Sequence, residues 1–254
     1  MSYPTWSDLN NPSIVPPLGA RQAPNLGPCG LLVSTEPDMR FLANSVGGLK
    51  TQPFFMGTLM TENKGHGGIC IAGPYMGSPY GVMLLESLIA RGVKKILVVG
   101  WCGAVSKDLG PGDMVVPTQA LVDEGTSHHY LALEGDPPIV SPDNELSDLL
   151  ASHLAECGES AHRLPIWTTD AIYRETPDKV SWYRNKGARA VEMECSALFA
   201  VAQFRKVPIA ALLVVSDSLA AESGWDPGFK KKKFKAARLS ACRAAVAMAR
   251  KIVE

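Results

Sequence analysis

The decisive stretch reads Ala188-Arg189-Ala190-Val191-Glu192-Met193-Glu194-Cys195-Ser196-Ala197, continues through a helical pattern, and passes along an apolar run at 209–215 into Ser216-Asp217-Ser218. The apolar run, bounded by Pro208 and Ser216, reads as a buried strand. In open α/β sheets ligands collect beyond the carboxyl ends of strands, and Asp217 falls at such an end. Glu192 and Glu194 fall where a helix begins, and the free N–H groups there favour negative charge. The rest of the chain then serves to bring three acids into one cleft.

Working outward, residues 95–99 form a nearly continuous apolar strand followed by Gly100-Trp101-Cys102-Gly103-Ala104. Glycines flanking an aromatic directly after a buried strand suit a ligand site; Trp101 serves equally as a core or lid aromatic. Residues 73–81 make a glycine-rich loop between a strand and a helix. Such a loop lets backbone N–H groups approach a ligand, though it is neither a P-loop nor G-x-G-x-x-G. Strands are also expected at 29–33, 53–59, 69–72, 114–122 and 164–168. Helices are expected after Thr35, as its cap, and at 82–90, 144–157 and from Phe229 to Val253. This alternation predicts a largely parallel sheet with helices on both faces.

Two loops carry further candidates. The segment 123–130 ends in His128-His129-Tyr130, and one histidine there, His129, can hydrogen-bond a sugar hydroxyl or a base, or is an ordinary surface residue. After 164–168 comes Ile172-Tyr173-Arg174. Tyr173 can stack on a flat ring, and Arg174 offers five donors to an anion or a base's carbonyls unless Glu175 or Asp178 pairs it. The lysines at 230–233 and 235 read as a solvated face, or as phosphate contacts.

Composition bounds the answer. With 254 residues, 46% hydrophobic, there is enough apolar material for one large core. Lys plus Arg equals Asp plus Glu, at 25 each, which argues against a dedicated nucleic-acid binder. Six widely spaced cysteines without a C-x-x-C pair read as free thiols, mostly buried, in a reducing compartment, and no metal is expected. No apolar run reaches about 20 residues, so no membrane span is expected. The first residues lack a basic, then apolar, leader. A cytoplasmic enzyme is the expectation, with residues 1–28 an extended Pro-rich arm ahead of one catalytic domain at 29–254.

Together these stretches resemble the nucleoside phosphorylase family that includes uridine phosphorylase, the hexameric purine nucleoside phosphorylases and related nucleosidases. The likeness covers about residues 29–253. Its carriers are Gly100-Trp101-Cys102-Gly103-Ala104 with Gly112-Asp113, and, more specifically, Val191-Glu192-Met193-Glu194 with Ser216-Asp217. The resemblance implies an α/β fold with a central mixed, partly barrel-like sheet. It implies ribose contacts from Met193 and Glu194, Asp217 as the acid facing the leaving base, and a base slot near Ile172 and Tyr173. No organic cofactor is implied; inorganic phosphate would be a co-substrate. Sites shared between subunits of a homo-oligomer (dimer, trimer or hexamer) would give the arm a purpose.

The chain departs from the family pattern at the phosphate site. The usual arginine position is Val98, the usual Ser or Thr is Trp101, and the usual Gly-Asp-Pro-x-Arg reads Thr35-Glu36-Pro37-Asp38-Met39-Arg40. A dianion in a cleft needs charge-assisted donors. Gly100, Trp101, Cys102, Arg40, Arg21 from a neighbouring arm, and Arg174 are the remaining cleft or phosphate candidates. The expectation is cleavage of a nucleoside's N-glycosidic bond, by phosphorolysis to free base and ribose 1-phosphate. Hydrolysis, or nucleoside binding without turnover, is the alternative.

Overall fold

A computed structural model describes residues 9, 11–21, 23, 25–62, 67–221 and 224–254. The elements run β1 (Cys29–Val33), α1 (Glu36–Ser45), β2 (Leu49–Phe54), β3 (Gly57–Glu62), β4 (Ile69–Gly73), α2 (Ser78–Ala90), β5 (Lys95–Ala104), β6 (Met114–Asp123), β7 (Ile139–Val140), α3 (Asn144–Glu156), β8 (Ala161–Thr169), α4 (Pro177–Asn185), β9 (Ala190–Glu192), α5 (Cys195–Arg205), β10 (Ile209–Ala221), β11 (Gly224–Pro227) and α6 (Lys232–Val253). All strands join one sheet in the order β11-β10-β6-β8-β9-β5-β1-β4-β3-β2, with β7 on β6. A further β10–β5 pairing closes part of that sheet on itself.

The sheet is mixed rather than largely parallel. The centre is parallel, through β4–β1–β5–β10 and β6–β8–β9. Antiparallel pairings of β10 with β6, β5 with β9, and β3 with β2 and β4 were not visible in the strand–helix alternation. They are long-range contacts that local periodicity does not encode.

Side chains alternate across the sheet with a period of two. Along β10, Ile209, Ala211, Leu213 and Val215 face a core packed by α2 and α5. Ala210, Leu212 and Val214 face a second core packed by α1, α3 and α6. Both faces of β5 and β10 are therefore covered, which is why these strands read as unbroken apolar runs. Burying each such side chain contributes roughly 1.5–3 kcal/mol. Helix α5 is buried along Cys195 to Ala202, so its apolar composition is nearly continuous rather than amphipathic.

Several boundaries differ from expectation; the strand expected at 53–59, for one, is the β2–β3 hairpin. Residues 224–227 form strand β11, in a stretch for which no strand was expected. Helix α6 starts at Lys232, leaving Phe229 in the preceding turn. Thr35 precedes α1 without capping it, because its hydroxyl donates to the Asp38 carboxylate at 2.8 Å. The arm is anchored at its end: the backbone N–H groups of Asn25 and Leu26 donate to the Arg91 carbonyl, each at 3.0 Å. Five cysteines are buried and Cys157 is exposed, none in a disulfide.

Candidate active site

Beyond the carboxyl ends of β5 and β10 lies a cleft of about 1450 Å³. Glu192, Met193, Glu194 and Asp217 all line it, with Trp101, Cys102 and Gly103 of β5. Strand β10 carries Asp217 alongside Gly103, and β9 brings Val191 to the other side of Gly103. A Cβ on Gly103 would stand 2.8 Å from Leu219 Cδ1 and 3.4 Å from both Asp217 Oδ2 and Val191 Cγ1. A side chain there would crowd Leu219 and stand beside the Asp217 carboxyl.

The adjacent glutamates have different duties. Glu192 Oε2 accepts from the backbone N–H groups of Glu194 and Cys195, each at 2.8 Å, and Oε1 accepts from the Thr168 hydroxyl. It is a buried cap on the α5 terminus, with its oxygens committed to the protein. Glu194 Oε1 accepts from the Gly77 N–H at 2.6 Å, and the Ser78 hydroxyl donates to the Met193 carbonyl at 2.8 Å. The glycine-rich loop thus grips the acid pair, and Gly77 does so at φ 83°, a conformation that favours glycine. Part of Glu194 remains open to the cleft, yet protein packs closely around its carboxyl. Burial, then repulsion from Glu192, pushes it up to about 8.

On the opposite flank Asp217 is held by side chains. The Ser216 hydroxyl donates to Oδ1 at 2.6 Å, and the Trp225 indole N–H donates to Oδ2 at 2.7 Å. The Cys102 thiol is raised well above its ordinary range by burial and by the charges of Glu192 and Asp217, so it stays a neutral wall. Glu175 was not singled out from the sequence. It lines the cleft, and burial followed by the Asp217 charge pushes it up to about 7. Its acidic neighbours are remote in the chain, so no local pattern marks it.

The other candidates divide. Ile172 and Tyr173 line the cleft mouth, and Tyr173 is 96% exposed. Trp101 lines it too, but its indole N–H donates to buried Asp38 at 2.7 Å and its ring packs edge-on against Phe234 at 5.0 Å. Asp38 also pairs with Arg238 of α6. Gly100 sits behind Trp101 in β5, where a Cβ would meet the Ser34 hydroxyl at 2.8 Å. Val98 points into the core. Arg40 is exposed and paired with Glu36, while Arg21, Arg174 and His129 are exposed and lie outside the cleft lining. Lys231 and Lys233 of the basic run pair with Asp226 and Asp113. Among the described residues no group of three or more His, Cys, Asp or Glu is placed to hold a metal ion, and no helix is long and apolar enough to cross a membrane.

Comparison with known proteins bears on this geometry. The family model of the phosphorylase superfamily matches residues 28–254. The chain belongs to that superfamily. It is 34% identical over 153 residues to a guanosine phosphorylase of Halorubrum lacusprofundi, covering 60% of this chain and 61% of that protein. The chain therefore spans about three fifths of the length of this curated relative. Among solved structures it is similar in fold to a purine nucleoside phosphorylase of Toxoplasma gondii bound to immucillin-H, with TM-score 0.77, 20% identity, and coverage of 90% of this chain and 92% of that one. It is similar also to a 5'-methylthioadenosine/S-adenosyl homocysteine nucleosidase of Campylobacter jejuni, with TM-score 0.73, 21% identity, and coverage of 88% and 98%. The superfamily acts on nucleoside glycosidic bonds, and both phosphorylases and nucleosidases stand among these relatives.

Proposed function

We propose that this protein cleaves the N-glycosidic bond of a purine nucleoside with water as the acceptor. The observation that carries the reading is the meeting of Glu194 and Asp217 in one cleft, one held by backbone and the other by side chains. Cleavage develops positive charge on the sugar and negative charge on the base. Glu194, accepting hydrogen bonds from the ribose hydroxyls beside Met193, would stabilise the sugar as it becomes cationic. Asp217 would hydrogen-bond or protonate the leaving base, a contribution typically of about 10²- to 10⁴-fold. Ile172 and Tyr173 offer apolar surface to the base at the mouth. The purine preference rests on the relatives, a guanosine phosphorylase and a purine nucleoside phosphorylase.

Water is favoured by the charges around the cleft. Among the described residues Glu36, Glu175, Glu192, Glu194 and Asp217 line it, against a single guanidinium, Arg184. A phosphate dianion would find few charge-assisted donors there. Phosphorolysis is the second reading, supported by the activities named for those same two relatives.

The test is a panel of purine and pyrimidine nucleosides, with and without inorganic phosphate. Free base and free ribose at equal rates in both conditions is the expected result. Ribose 1-phosphate formed only with phosphate would select the second reading. Binding without product would make this a nucleoside-binding protein and overturn both.

A further inference from the structure

Asp217 is tied at both oxygens. Ser216, its neighbour in β10, is buried, and its hydroxyl oxygen also lies 3.2 Å from the Cys102 carbonyl. That donor is part of the sheet's interior and has nowhere to go. The second donor is different in kind. Trp225 sits on the four-residue edge strand β11, is 61% exposed, and its ring rests on the half-exposed Phe229 at 6.2 Å between centroids. An indole N–H is only ever a donor. While it engages Oδ2 at 2.7 Å, one of that oxygen's two acceptor positions is taken, and a base nitrogen approaching from the same side must displace it.

Trp225 and Phe229 line the same cleft as Asp217, Ile172 and Tyr173. A flat base seated against Asp217 would lie within reach of the indole. From the contrast between a fixed and a releasable donor, we propose that Trp225 is a positioning residue: its indole N–H fixes the Asp217 carboxyl before substrate arrives, then releases Oδ2 to the leaving base while the ring covers it. This rests on the reading of Asp217 as the group facing the base, and it adds a residue that acts through Asp217. No covalent step is involved; one hydrogen bond to Oδ2 is exchanged for another.

The experiment compares Trp225→Phe, Trp225→His and wild type by steady-state kinetics and by tryptophan fluorescence with guanine and adenine as probes. Phenylalanine keeps an apolar ring and removes the donor; histidine restores a ring N–H. Loss of positioning without loss of cover should lower kcat about tenfold in Trp225→Phe, with KM within about threefold, since small misplacements of a catalytic group are costly. Trp225→His should recover part of kcat. Adding the free base should change wild-type emission, and the larger part of that change should be lost in Trp225→Phe and kept in Trp101→Phe, which removes the other tryptophan of the cleft lining. Equal kcat in Trp225→Phe, or a base-induced emission change of undiminished size without Trp225, would overturn the inference while leaving nucleoside cleavage intact. If wild type releases no base from any nucleoside, the functional reading fails separately, and the fluorescence comparison still decides whether Trp225 moves. No emission response in wild type would overturn the inference as well.

Discussion

The cleft's two acidic flanks are built on opposite plans. At the β9–α5 corner, Glu192 and Glu194 are fixed by backbone N–H groups of α5 and of Gly77, beneath a helix buried along most of its length. At the β10–β11 hairpin, Asp217 is fixed by two side chains, one of them largely exposed. Backbone donors cannot leave without unfolding an element; side-chain donors can. The corner holds its carboxyls through folded backbone, whereas the hairpin holds one through donors that can change partners.

Breaking each flank should give a different signature. Asp217→Asn should have the largest effect, lowering kcat by about 10²- to 10⁴-fold with nucleoside affinity nearly kept. Unchanged kcat would remove Asp217 from the chemistry and with it the mobile half of the comparison. Glu194→Gln should lower kcat/KM roughly 10- to 100-fold, because hydrogen bonds to a charged group are worth about 1.5–3 kcal/mol. A 2'-deoxynucleoside that lost nothing further in this variant would support a ribose contact.

Glu192→Ala should act on stability first. It strands two backbone donors and the Thr168 hydroxyl, at about 1–3 kcal/mol for a buried unpaired group. The melting temperature should fall by about 2–4 °C per kcal/mol for a chain of this size. A variant melting like wild type would mean that the α5 terminus does not depend on this cap.

A further expected effect is on pH dependence. Glu194 rises from an ordinary 4.5 to about 8 in the folded protein. Between those values the folded state holds a proton that the unfolded state has lost, so stability contributed at this site declines as pH rises from about 4.5 to about 8. Melting curves across that window should show the decline, and Glu194→Gln should flatten it. An unaltered slope in the variant would place the titration elsewhere, with Glu175 the next group to replace.

The contrast between the flanks also marks what the sequence discloses. Apolar runs at 95–99 and 209–215 disclosed the two central strands because both faces are buried, and Glu192, Glu194 and Asp217 stood out as acids at element ends. The division of labour between Glu192 and Glu194 was hidden, since it depends on which carboxyl turns toward the α5 N–H groups. Trp225 was hidden more completely. Its role arises from a four-residue strand folding back on β10, and residues 224–227 carry turn-forming Gly and Pro rather than a strand pattern. Glu175 and Arg238 matter through partners 42 and 200 positions away.

One strand carries both plans. At Leu213 and Val214, β10 lies between β5 and β6, each ten residues long. From Asp217 onward, its partner on one side is β11, with four residues at the edge of the sheet. Amide protons along this single strand should therefore exchange with solvent at graded rates, slowest at 213–214 and faster from Asp217 outward. The catalytic candidate sits where the strand passes from its most protected section to its least, so opening the hairpin would expose Asp217 while the core that anchors it stays closed.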